Sequence, residues 1–114
     1  MLKKHNRLTK KNDFNRLFKA AQAKYYGKLI GVRLVANELG YNRFGFMVGR
    51  RCCRLAVGRN LIRRRLSVLT RRDLPKMIVG YDIVVLIIAN QPVFKLIELQ
   101  QELTEAWKRL KLIV

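Results

Sequence analysis

The chain has 114 residues, half of them hydrophobic, and 25 Lys and Arg against 7 Asp and Glu give it a formal net charge of +18. One domain of this length buries roughly two thirds of the surface its unfolded form exposes, which excludes a disordered basic tail. No apolar run reaches the ~18 residues of a membrane span and the start lacks the apolar stretch of a signal peptide, so the expectation is a cytoplasmic protein that meets a polyanion.

The charge is unevenly spread. Residues 1–36 hold ten Lys or Arg against Asp13 alone, residues 37–76 hold eleven against Glu38 and Asp73, and residues 77–114 hold four against four acids. Between Glu38 and Asp73 there is no acid and there are ten arginines, nine of them from Arg50 to Arg72. A run of one sign repels itself, and the preference for Arg over Lys favours a partner that accepts bidentate hydrogen bonds and stacking, as phosphates and bases do. Nucleic acid is the expected partner.

In chain order, residues 1–12 read as a basic N-terminal segment free to move, within a single domain spanning 1–114. Asn12 or Asp13 can cap a first helix in which Phe14, Leu17, Phe18 and Ala21 recur at helical spacing, ending near Tyr25-Tyr26-Gly27. Leu29 to Val35 reads as a strand, Glu38 to Asn42 as a turn, and Arg43 to Val48 as its antiparallel partner, making a hairpin. From about Val57 to Arg72 the period becomes helical: Ile62, Leu66 and Leu69 form a dry stripe, with Leu55 aligned if the helix begins early, and Asn60, Arg63, Arg64, Ser67 and Arg71 form a basic back. The run Asp82 to Ile88 is β-branched and apolar on both faces, the pattern of a central strand. Asn90-Gln91-Pro92 closes it, and Leu96, Leu99, Gln100, Leu103, Ala106, Trp107 and Leu110 mark an amphipathic third helix. The order α-β-β-α-β-α, or the same with one further short strand, predicts an α+β fold built as a small two-layer sandwich.

Protein-borne catalysis has little to work with. Glu98, Glu102 and Glu105 lie at helical spacing and read as a solvated face. His5 is the only histidine, no glycine loop cradles a phosphate, and no set of metal ligands appears. The adjacent Cys52 and Cys53 lack the spacing of a structural zinc site and read as packing or loop residues, with redox sensing the alternative.

Four segments carry a resemblance in the right order: Asn6-Arg7-Leu8-Thr9-Lys10-Lys11-Asn12-Asp13-Phe14 followed by Phe18; Arg43 to Val48 running into Arg50-Arg51; Ala56-Val57-Gly58-Arg59-Asn60-Leu61-Ile62-Arg63-Arg64; and Gly80-Tyr81-Asp82-Ile83-Val84-Val85. Together they resemble the bacterial ribonuclease P protein component over nearly the whole chain. The resemblance implies a protein subunit of ribonuclease P that joins a catalytic RNA and helps it remove the 5′ leader of precursor tRNA. The partners are then ribonuclease P catalytic RNA and precursor tRNA, with neither membrane nor DNA. It also implies a left-handed crossover between parallel strands, against the general right-handed rule. No cofactor is assigned to the chain, and magnesium is expected for the RNA-containing holoenzyme. With the charge gap, the resemblance nominates Arg50, Arg51, Arg54, Arg59, Asn60, Arg63, Arg64, Arg65 and Arg71 for RNA binding, and Lys10, Lys11, Phe14 and Phe18, with Arg16 nearby, for the leader. On spacing alone, Phe14 and Phe18 read as a core pair, and the resemblance sets leader binding level with that reading. Leu61, Arg65, Ser67 and Ile88 depart from the family pattern. A ribosome-associated structural RNA-binding protein with no enzymatic role is the alternative, and a DNA-binding module lacks a recognition helix with its partner helix and turn.

Overall fold

The computed structural model describes residues 2–91 and 93–113. Pro92, expected to help close the last strand, lies outside the described residues. Among these residues there are three α-helices and four strands: α1 (Lys11–Ala20), β1 (Ala23–Tyr26), β2 (Ile30–Ala36), β3 (Arg43–Met47), α2 (Ala56–Asp73), β4 (Tyr81–Ile87) and α3 (Leu96–Arg109). The α+β class holds, and β1 is the further short strand. In the sheet the order is β1-β2-β4-β3, with β3 and β4 parallel and the other neighbours antiparallel.

Two expectations are overturned here. The first helix stops at Ala20, because the next residues have a better use: the Gln22 N–H donates to Leu34 O at 2.9 Å, and Ala23 to Tyr26 pair with Leu34 to Gly31. Tyr25 and Tyr26 therefore alternate across a strand, where aromatic residues pack well. Nor do β2 and β3 form a hairpin, since β4 lies between them. Its residues Ile83, Val84 and Val85 are fully buried, and only the central position covers a strand that is apolar on both faces. The turn at Gly80 that feeds β4 has φ +102°, a left-handed conformation for which glycine carries no Cβ penalty.

Alternate residues of the sheet serve two clusters. On one face Ile30, Val32, Leu34, Phe44, Ile83, Val85 and Ile87 meet α2 through Ile62, Leu66 and Leu69 and α3 through Leu99, Leu103, Ala106 and Trp107. Trp107 is fully buried edge-on to Phe44, with ring centroids 6.1 Å apart, and its Nε1–H donates to Asp73 at the end of α2 at 3.1 Å. On the other face Val35 and Val84 pack with Leu8 and with Leu17 of α1. Leu55, which would join the dry stripe of α2 only if the helix began early, is its N-cap and is 73% exposed.

Helix ends depart from expectation in a similar way. Neither Asn12 nor Asp13 caps α1, whose N-cap is Lys10 without a side-chain bond. Asp13 sits in the first turn, where its charge suits the helix dipole, and lies 3.4 Å from Arg43. Glu102 is not a solvated carboxylate: it accepts from the Leu29 N–H at 2.9 Å and the Ile30 N–H at 3.2 Å, fastening α3 to the start of β2. Glu105 does face solvent, pairing with Arg109 one turn on.

The N-terminal segment docks along β3. Leu2 and Leu8 are buried, the Leu8 N–H donates to Phe44 O at 2.8 Å, and Arg7 forms a parallel bridge with Phe44. The Leu2 N–H donates to Ser67 Oγ at 3.2 Å, so Ser67, placed by sequence on the basic back of α2, is a buried anchor.

Behind α1 a fully buried carboxylate ties four segments together. Asp82 of β4 accepts two hydrogen bonds from Arg43 of β3 at 2.7 and 2.8 Å, one from Arg16 of α1 at 2.7 Å and one from Asn37 after β2 at 2.9 Å. Burial alone would raise this carboxyl, but the bonds from Arg43 and Asn37 and the Arg43 charge outweigh it and hold it below the ordinary carboxylate range. Arg43 is raised in turn, chiefly by its hydrogen bonding to Asp82. Arg16 is thus an ion-pair partner of Asp82 and part of the scaffold.

Candidate nucleic-acid interface

The crossover from β3 through α2 to β4 sets the basic helix beside the edge strand, while α1 crosses the opposite face above it. Between them lies a cleft of about 450 Å³ lined by Phe14 of α1, Phe44, Gly45 and Phe46 of β3, residues of the N-terminal segment including Arg7 and Thr9, and Asn60, Arg63, Arg64 and Ser67 of α2. The floor is apolar and one wall is cationic, the combination that receives an unpaired base and its phosphate.

Gly45 makes the cleft possible. A Cβ built on it would overlap the Phe14 ring, so the ring rests directly on the strand backbone. Gly45→Ala is expected to cost about 1–3 kcal/mol by overpacking. The same change in a Phe14→Leu background should cost clearly less, because the two residues share one space. Thermal melts of the two singles and the double check it; additive losses would mean that Phe14 is not what Gly45 accommodates.

Of the nominated residues, Asn60, Arg63 and Arg64 share this cleft with Phe14, and the rest are dispersed. Asn60 and Arg64 are exposed on α2, and half-buried Arg63 donates to Asn60 Oδ1 at 2.6 Å. Arg59 turns back, donating to Cys53 O at 3.0 Å and Arg54 O at 2.7 Å, so it holds the loop that enters the helix. Arg65 points to the other side, donating to Phe94 O at 3.0 Å. Arg50, Arg51 and Arg54 gather round a separate recess with Cys52, Ile88 and Asn90. Arg71 lies at the far end of α2, beside Lys3, His5 and Tyr41. Lys10 and Lys11 are exposed at the start of α1.

Phe14 and Phe18 are parted. Phe18, 37% exposed, lies under the Arg33 guanidinium at 5.2 Å, and Arg33 also donates to Phe18 O and to the Tyr26 hydroxyl. Both thiols are free and half-buried, with Cys52 Sγ donating to Ile87 O at 3.2 Å. Among the described residues no group of three or more His, Cys, Asp or Glu could hold a metal ion, and no helix is long and apolar enough to cross a membrane.

A family model described as Ribonuclease P matches residues 2–111. The chain belongs to the ribonuclease P protein family. It is 31% identical to the ribonuclease P protein component of Ectopseudomonas mendocina over 107 residues, covering 94% of this chain and 79% of that one. Its identity to the protein component of Natranaerobius thermophilus is 37% over 79 residues, 69% of this chain and 67% of the relative. Its fold is that of the Staphylococcus aureus RNase P protein, with a TM-score of 0.85 at 23% identity over 96% of this chain and 98% of the other. The Thermotoga maritima RNase P protein aligns with a TM-score of 0.80 at 25% identity over 90% and 96%.

For this ribonuclease P protein, sequence reasoning missed Arg33, Tyr26, Gly45 and Arg7. The first three share a signal that register supplies: Gly45, Val84 and Arg33 stand in one row across the sheet, and Met47, Leu86, Gly31 and Tyr26 in the next. Such rows are invisible until strand neighbours are known.

Proposed function

We propose that this chain, the protein subunit of ribonuclease P acting in tRNA 5′ processing, lays the cationic face of α2 on the catalytic RNA and receives the single-stranded 5′ leader of precursor tRNA in the Phe14 cleft. The observation that carries the reading is the meeting of Phe14, Gly45 and Phe46 with Asn60, Arg63 and Arg64 in one cleft. Family membership favours this over a ribosome-associated structural role.

The chain's own part is binding and orientation. Metal-assisted phosphodiester cleavage needs oxygen donors that hold divalent ions together, and the one deeply buried carboxylate, Asp82, is committed to Arg16, Arg43 and Asn37. These residues do not fit a magnesium site, and on this reading the RNA supplies the ions and the chemistry. A charge of +18 relieves repulsion between substrate and RNA enzyme, a task otherwise left to counterions.

The test mixes precursor tRNA with protein, with catalytic RNA, and with both, across a magnesium titration. Protein alone should not cut, and with RNA it should lower the magnesium requirement; cleavage by RNA-free protein, or an unchanged requirement, overturns the reading. In the same system Phe14→Leu keeps most of the apolar volume and removes the ring face. Precursor binding should weaken roughly 5- to 150-fold, the range of one lost base stack, while mature tRNA scarcely changes. Equal losses for both would count against the leader cleft.

A further inference from the structure

At the end of α2 remote from Arg59 lies a second cleft, of about 310 Å³, that neither the leader nor the first turns of α2 use. It is lined by Leu2, Lys3, His5 and Asn6, by Tyr41 and Asn42 of the turn before β3, by Arg71 and Leu74, and by Val79. We propose that this cleft is a second RNA site, which takes one unpaired nucleotide by stacking its base on the His5–Tyr41 pair while Lys3 meets an adjoining phosphate. The inference rests on reading α2 as an RNA-contacting helix.

Three features support it. His5 and Tyr41 meet edge-on, with centroids 5.0 Å apart and planes at 89°. An edge-on contact covers one ring face only, so the pair still offers flat apolar surface, which is what an unpaired base needs. The cleft is also built independently of that pair. Asn6 Nδ2 donates to Asn42 O at 2.7 Å, Asn42 Nδ2 donates to Ile78 O at 2.8 Å, and Asn42 Oδ1 accepts from the Tyr81 N–H at 2.9 Å. With Asn6 and Asn42 buried and satisfied, the floor stands without help from exposed His5. Finally, the lining contains basic residues and no acid. Arg64 and Arg71 are seven residues apart, within about 20° of one line along α2 and some 10 Å in rise, so the second cleft continues the cationic face of the first.

A base seated here could belong to the catalytic RNA or to the tRNA, and separate titrations tell them apart. Tyr41→Leu and Tyr41→Phe are titrated against ribonuclease P RNA alone, precursor tRNA and mature tRNA, each across a salt series. The expected result is a roughly 5- to 150-fold weaker affinity of Tyr41→Leu for whichever RNA places a base in the cleft, an unchanged salt slope, and wild-type behaviour of Tyr41→Phe. Lys3→Gln should instead flatten the slope by roughly 0.7 to 0.9 for the same RNA. His5→Ala, at an exposed position, reads the site without disturbing the turn, and it should weaken the same RNA. Wild-type affinity of both Tyr41→Leu and His5→Ala for all three RNAs overturns the proposal, as does a loss that Tyr41→Phe shares. If Arg63→Ala/Arg64→Ala loses salt slope while these variants bind normally, the α2 reading survives and this site falls; if that pair keeps its full slope, the α2 reading itself fails.

Discussion

Asp82→Asn should lower the unfolding midpoint by on the order of 10 °C, because it removes the buried carboxylate that Arg16 and Arg43 share and leaves Arg43 only the longer contact to Asp13. Breaking a buried ion pair from one side costs about 3–5 kcal/mol, and the lower end applies since both arginines keep some contact with water. The amide would also turn a donor toward guanidinium groups that are themselves donors only. The loss depends on pH in a definite direction. Because the folded state holds the Asp82 carboxyl below its ordinary value, its contribution is complete above the unfolded value near ~4 and disappears as pH falls through the folded one. The wild type and Asp82→Asn should therefore differ fully at neutral pH and converge on acidification below about pH 4. Thermal melts between pH 7 and pH 2 check this. A neutral-pH difference of only a degree or two would mean that the cluster contributes little.

What the sequence made legible follows from which interactions are local. α2, α3 and the central place of β4 can be read because periodicity and two-sided apolarity are properties of one segment. β1 is four residues long, and it exists because Leu34 to Gly31 stand opposite it, a fact about another strand. The expected hairpin failed for the same reason: the turn at Glu38 to Asn42 says that the chain reverses, not that nothing will enter the gap. At the interface, the face of α2 was legible as a run of charge, and the occupation of each guanidinium was not. Arg59 and Arg65 are bound to carbonyls of loops whose paths are set by tertiary packing. Spacing alone read Phe14 as core, because the residue that sets its place is Gly45, on a different element, where the missing Cβ lets the ring lie on the strand.

That distinction among the arginines yields the sharpest contrast for RNA binding. Arg63→Ala/Arg64→Ala should weaken binding of ribonuclease P RNA by on the order of 100-fold at low salt, since two charge-assisted hydrogen bonds at roughly 1.5–3 kcal/mol each are lost, less what the RNA recovers by shifting to neighbouring cations. The plot of log affinity against log salt should flatten by roughly 1.4 to 1.8, one counterion equivalent for each phosphate no longer met. Folding should be preserved, because Arg64 is exposed, Arg63 among the described residues bonds to Asn60 on its own helix, and the apolar stripe of α2 is untouched. Arg65→Ala is the informative control. It removes the same charge from the same helix, but its guanidinium is turned to Phe94 O, so it should cost stability by releasing the loop before α3 while leaving the salt slope close to that of the wild type. Filter-binding or fluorescence titrations across a salt series separate the two. A slope that falls equally for all three arginines would show that RNA responds to total charge and not to the face of α2, and a double variant that keeps the full slope would remove this helix from the interface.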